Sequence, residues 1–310
     1  MLLPVTIGQQ VGYIDRSGTL VIEPRFRSGS RFVDDRAIVT VDGKSGLIDP
    51  DGRYVVEPRW EKAHEFSEGL CAVVENGQMG FVDRDGQWQI PPRFPRLSWH
   101  SHFTEGLAAI NDEGHGFYVD KSGAKVIDVG ATLAQPFSEG LAGVEIKKKW
   151  GFSDTKGDLV IPPKFKFVEP FSEGLAEVGK TSYTKTGFID QQGEIVIPLK
   201  FLSVSSFSEG LAAVEPSLEA GWGLIDTVGD WIVEPRFPLV MPFSEGLACV
   251  RIERWGYIDR QGQWVIEPTF RQADSFRDGL AEIAKRSRDY YPTGYIDREG
   301  SYVWKPTMKI

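Results

Sequence analysis

The stretch that decides the fold runs from residue 136 to residue 165: PFSEGLAGVEIKKKWGFSDTKGDLVIPPKF. Its opening phrase returns as PFSEGLAEV from Pro170, SFSEGLAAV from Ser206 and PFSEGLACV from Pro242. A catalytic site needs its groups once. A phrase written again and again at even spacing marks a building unit, so architecture has to be read before chemistry.

The register of the repeat is fixed by an aspartate followed three residues later by a glycine. Asp15, Asp49, Asp83, Asp120, Asp154, Asp190, Asp226, Asp259 and Asp297 each have this partner, and successive aspartates lie 34, 34, 37, 34, 36, 36, 33 and 38 residues apart. Nine units follow, at approximately 1–26, 27–60, 61–94, 95–131, 132–165, 166–201, 202–237, 238–270 and 271–310. Together they form one array over the whole chain.

Each unit carries three strand-like pieces. The first follows FSEG, as in Leu211 to Val214, where consecutive apolar residues predict burial on both faces. The second is GYID or a relative, with aromatic or β-branched residues at its centre. The third is WVIEPRF or a relative. The D-x-x-G step between the second and third predicts a tight hairpin, with Asp accepting backbone N–H groups and Gly taking the left-handed position. Proline is expected to end the third strand, because it cannot donate to a ladder. The first unit lacks FSEG, and LPVTI stands at the right distance before Gly12 to serve as its first strand.

Three antiparallel strands leave the chain at the end opposite its entry, so each unit needs a returning crossover. That crossover carries a recurrent aromatic (Phe26, Trp60, Phe94, Phe165, Phe201, Phe237, Phe270) expected to fill the gap between neighbours. The reading is all-β: nine three-stranded antiparallel units stacked in tandem, a propeller-like closed ring being favoured and an open superhelical array the alternative.

The combined phrase KWGFSDTKGDLVIPPKF with FSEGLAEV, and its counterpart WGYIDRQGQWVIEP from Trp255, resembles the bacterial WG (or KWG) repeat over the entire chain. The name-giving dipeptide is kept at Trp150, Trp222 and Trp255. Val11, Ser45, Met79, His115, Thr186 or Thr293 precedes the glycine elsewhere. The resemblance implies a tandem β module with binding roles, and it brings no catalytic residues.

Bulk properties narrow the function. A net charge of −9 speaks against nucleic acid or an anionic membrane as partner. The cluster EIKKKW near Lys147 reads as a solvated hairpin tip. No apolar run approaches the ~20 residues of a spanning helix, so no membrane insertion is expected. The start shows no secretion signal. Cys71 and Cys249 read as small buried residues in a reducing compartment, which points to the cytoplasm.

For chemistry, the repeated carboxylates read as turn caps. The glutamates of FSEG (Glu68, Glu105, Glu139, Glu173, Glu209, Glu245) are expected to pair with the Arg or Lys after the proline (Arg25, Arg59, Arg93, Lys164, Arg236), at little gain in stability. His100 and His102 are too few for a metal site without further ligands. No metal, cofactor or catalytic residue is expected, and the protein is expected not to be an enzyme. The candidate binding residues are those that break the repeat: Trp99, His100 and His102 in one crossover, Tyr183 in an insertion, and Tyr290 and Tyr291 in another. The expected function is a non-catalytic scaffold for a protein partner in the bacterial cytoplasm. The alternative is a receptor for a small molecule or glycan, bound in a central channel or at an aromatic loop.

Overall fold

A computed structural model describes residues 2–95, 101–180, 185–284 and 293–305. It contains nine antiparallel sheets in chain order, and among the described residues no helix. By internal contact the chain divides into two compact units. One is built mainly from Met1–Phe137 and the other mainly from Ser138–Asp154 and Asp158–Pro306. The same sheet recurs in each.

The three expected strands are present in every sheet, and LPVTI (Leu3–Ile7) is the first strand of the first. From the second sheet onward a short lead strand joins them, so eight of the nine sheets have four strands. The sixth sheet runs Phe167–Val168, Ala176–Gly179, Thr186–Ile189 and Ile195–Phe201, in that spatial order. The lead strand comes from the returning crossover, where Phe167 and Val168 pair with Gly179 and Val178. Each four-stranded meander therefore has the form of a propeller blade. The three-strand reading missed this piece because in seven of the eight sheets it is two residues long, too short to show a period; only in the eighth sheet, Leu239–Ser244, is it longer.

The hairpin between second and third strands forms as expected. Asp15 Oδ1 accepts the N–H groups of Ser17 and Thr19, and Gly18 has φ of +84°. The same bonds recur at Asp83, Asp190 and Asp259.

Proline does not end the third strand. It lies inside it: Pro24 within Leu20–Phe26, Pro163 within Leu159–Phe165 and Pro235 within Trp231–Phe237. This strand is the sheet edge, so the missing N–H leaves no ladder bond unmade. The chain bulges around the proline. Val11 pairs with Phe26 and Tyr13 with Ile22, so one residue on the second strand faces three on the third. The bulge presses on the glycine of the WG position: a Cβ on Gly12 would lie 2.5 Å from the Ile22 carbonyl oxygen. Gly223 and Gly256 are confined in the same way. In the fourth sheet the pattern slips by one. Gly116 pairs with Ala131, the place Trp150 takes opposite Phe165, and Phe117 stands where the glycine is otherwise found.

The recurrent aromatic closes the third strand and is buried, from Phe26 and Trp60 to Phe237 and Phe270. It packs on the following sheet: Phe201 lies edge-on to Trp231 and Phe237 to Trp264. The Phe of FSEG does the converse, packing against the central aromatic of the preceding sheet, as in Phe188–Phe207 and Tyr257–Phe276.

FSEG itself is a two-residue hairpin. Ser172 and Leu175 exchange backbone hydrogen bonds, while Glu173 and Gly174 have φ of +55° and +80°, both positive as a type I′ turn requires. Its polar residues reach forward to the next copy. Ser172 Oγ donates to the Phe207 carbonyl and Ser208 Oγ to that of Phe243. The Glu173 carboxylate accepts the N–H groups of Glu209 and Gly210, and Glu209 accepts that of Gly246. Within the first unit, Ser67 and Glu68 hold Phe103 and Gly106 in the same way.

The cations after the proline do not pair with these glutamates. Arg236 donates to the Gly262 carbonyl and Lys164 to that of Gly193, so each grips the D-x-x-G turn of the following sheet. Arg25 and Arg93 make the same contact with Gly52 and Gly123. The FSEG carboxylate is already engaged by backbone N–H groups of the next copy, and the turn carbonyl lies nearer the third strand.

Candidate functional site

Of the sequence-selected residues, His102 is described. Trp99, His100, Tyr183, Tyr290 and Tyr291 lie outside the described residues. His102 joins His64, Glu65, Phe66, Ser67 and Ala63 around an open depression of about 600 Å³ in the first unit.

The repeat explains what is unusual here. His64 follows the lead strand Lys62–Ala63, and its N–H donates to the Ala72 carbonyl. Ser30 and Ser205 hold the corresponding place, and there the hydroxyl closes the loop by accepting the N–H of Ile38 or Ala213. An imidazole is too large for that role and turns its ring to the depression. His102 and Glu65 both directly precede the FSEG-type phenylalanine, where Pro136, Pro170 and Pro242 stand in other copies. Gln135, Glu169 and Asp274 hold the same place in other copies, so the position varies and carried no signal in the sequence.

The His64 imidazole is held below its ordinary value, first by burial and then by His102 and Lys62 nearby. This lowering favours the neutral imidazole at pH 7. Its own carbonyl accepts the Cys71 thiol, at 2.9 Å. Cys71 is buried, its thiol pushed up to about 12, so it is a packing group and no nucleophile. Ser67 is committed to the Phe103 carbonyl. Among the described residues no three His, Cys, Asp or Glu side chains gather to hold a metal ion.

A second departure lies in the sixth sheet. Glu177 stands where Ala72, Ala109, Gly143 and Ala213 face the middle of the second strand, and it pairs with Phe188; Glu282 holds the same place opposite Tyr295. Burial, and then Glu169, push its carboxyl up to about 8. Glu169 is raised by burial as well.

Solved structures give distant likenesses. Kluyveromyces lactis Hsv2 shares 12% identity over 85% of this chain and 94% of its own, with a TM-score of 0.44. Streptogramin B lyase shares 14% over 81% and 94%, with a TM-score of 0.39. Virginiamycin B lyase from Staphylococcus aureus shares 12% over 84% and 96%, with a TM-score of 0.41. Two of these proteins are enzymes by name. That corrects the expectation of no enzyme, because the lack of a singular reactive cluster in a repeat sequence does not set catalysis aside. No curated protein matches the chain. The family described as WG containing repeat matches eight segments, at residues 12–44, 46–78, 79–114, 117–150, 150–181, 187–215, 222–253 and 255–287. With the glycine-confining bulge and the linked FSEG turns recurring in those segments, the chain belongs to the WG containing repeat family.

Proposed function

We propose that the protein is a binding scaffold for a protein partner in the bacterial cytoplasm. One observation carries this reading. The third strands are sheet edges, and four successive ones in the second unit expose an apolar side chain at the same register: Val160 at 44%, Val196 at 38%, Ile232 at 46% and Val265 at 47%. Apolar side chains held in water at a repeated spacing favour a partner that covers them. The in-strand proline beside each, such as Pro163 or Pro235, discourages the edge from pairing with a foreign strand, so side chains are offered in preference to backbone. The paired substitution Ile232→Glu and Val265→Glu tests the reading. A partner captured from native lysate at low and high salt, and released by this variant at unchanged melting temperature, supports it. Equal capture by both proteins overturns it.

The depression at His64 and His102 favours a second reading, a receptor for a small polar molecule or glycan. Saturable thermal stabilisation by one such class, abolished by His64→Ser, is the result that reading requires.

A further inference from the structure

Three lysines meet in the second unit, at the seam between the fifth and sixth sheets. Lys149 opens the second strand of the fifth sheet, Lys164 lies in its third strand, and Lys180 follows the first long strand of the sixth. With Phe165 and Ile195 they line a depression of about 330 Å³. Lys164 is fixed there, donating to the Gly193 carbonyl at 3.2 Å with its ammonium 5.2 Å from the Phe165 ring centre. Among the described residues no acidic side chain lines the depression. Among the described residues neither Lys149 nor Lys180 has an ion-pair partner. The hairpin tip is occupied by Lys147 and Lys148, both at positive φ. The sequence cluster is thus divided: two lysines form the exposed turn, and the third, also exposed, lines the rim of the depression.

Two seams of the first unit carry an acid. Between the first and second sheets the same depression is lined by Arg25 and Arg27 together with Asp42. Between the second and third, Arg59 lies 3.8 Å from Glu75. Glu75 and Lys180 are equivalent by register: each stands two residues after the valine, Val73 or Val178, that faces the WG glycine. The seam thus exchanges its neutralising carboxylate for a third cation. Like charges brought together on an apolar floor repel, and an anion among them removes that cost.

We propose that this seam binds a phosphate-class dianion, either inorganic phosphate or the phosphate group of a small monoester. Lysine ammonium groups bind phosphate as point charges without fixed orientation, which suits three stems reaching in from two sheets. Phe165 and Ile195 supply an apolar wall for the organic part of an ester.

Isothermal titration calorimetry on the full chain tests this, with inorganic phosphate and phenyl phosphate as probes at constant ionic strength set by chloride. Saturable binding of one phosphate per chain is expected, weakened at least about tenfold by Lys180→Glu, which installs the carboxylate that Glu75 supplies at the equivalent seam. Lys149→Gln, the residue found at Gln10 and Gln78, is expected to weaken it as well. Phenyl phosphate binding about tenfold tighter than phosphate identifies a monoester as the ligand class; equal affinity identifies free phosphate. Absence of saturable heat, or affinity unchanged in both variants at unchanged melting temperature, overturns the proposal.

Discussion

The carboxylate of Glu173 accepts the backbone N–H groups of Glu209 and Gly210, at 2.6 and 2.8 Å, from a turn 36 residues earlier in the chain. Glu173 adopts φ of +55° to do so, a conformation that costs a non-glycine residue about 1–2 kcal/mol. The link and the strain oppose each other at one residue, and substitution separates them. Glu173→Ala keeps the strain and loses the link, so it is expected to destabilise by about 1–2 kcal/mol. Glu173→Gly loses the link but relieves the strain, and its denaturation midpoint is expected to lie between those of the native and alanine proteins.

Two glycine substitutions distinguish crowding from backbone strain. A Cβ on Gly223 would lie 2.6 Å from the Val233 carbonyl oxygen, whereas one on Gly43 meets nothing within 4 Å. Gly43 has φ of +75°, so Gly43→Ala costs about 1 kcal/mol for conformation alone. Gly223→Ala must open the proline bulge and is expected to cost roughly 3 kcal/mol or more, in the range of severe core overpacking. Chemical denaturation of both variants measures the contrast.

Glu177 makes stability depend on pH. Its folded carboxyl is raised to about 8 from an ordinary value of 4.5, so the folded state retains a proton that the unfolded chain releases. Stability is therefore greatest below the unfolded value and declines as pH rises towards 8. Glu177→Ala installs the residue found at Ala72, Ala109 and Ala213 and is expected to reduce this decline, with a gain on the order of 2 kcal/mol at pH 8. Melting temperatures of both proteins between about pH 5 and pH 8 give the comparison. Parallel curves would assign no such role to Glu177.

The two thiols are predicted to be silent in the native state. Cys71 and Cys249 are buried and both are pushed up to about 12, chiefly by burial. A thiol reagent at pH 8 is expected to label neither until denaturant is added. Rapid labelling of the folded protein would show that these strands open locally.

The strands, the D-x-x-G hairpins and the buried aromatics were legible because each rests on local chemistry that recurs, the hairpin nine times and the aromatic seven. The forward reach of Ser172 and Glu173 was not: a side chain bonding to a residue 35 or 36 positions away leaves no local pattern. Proline misled for a related reason. Proline would stop a strand with neighbours on both sides, but Pro163 lies in a strand that only the tertiary arrangement makes an edge. Of the candidate site, His102 was visible as a break in the repeat. His64 became meaningful only once Ser30 and Ser205 were seen closing the same loop.

The FSEG links described within each unit point one way. Ser and Glu of one copy serve the copy that follows, and that copy's Phe and Gly are served by the copy before. Such an arrangement has a direction, like bricks laid with tongue and groove. Deleting half a copy would strand a tongue without its groove, whereas removing or duplicating a whole copy restores every joint it breaks. Change in the number of copies is thus confined to whole steps, while the residues outside the joints, among them His64, Glu177 and Lys180, remain at liberty to differ from one copy to the next.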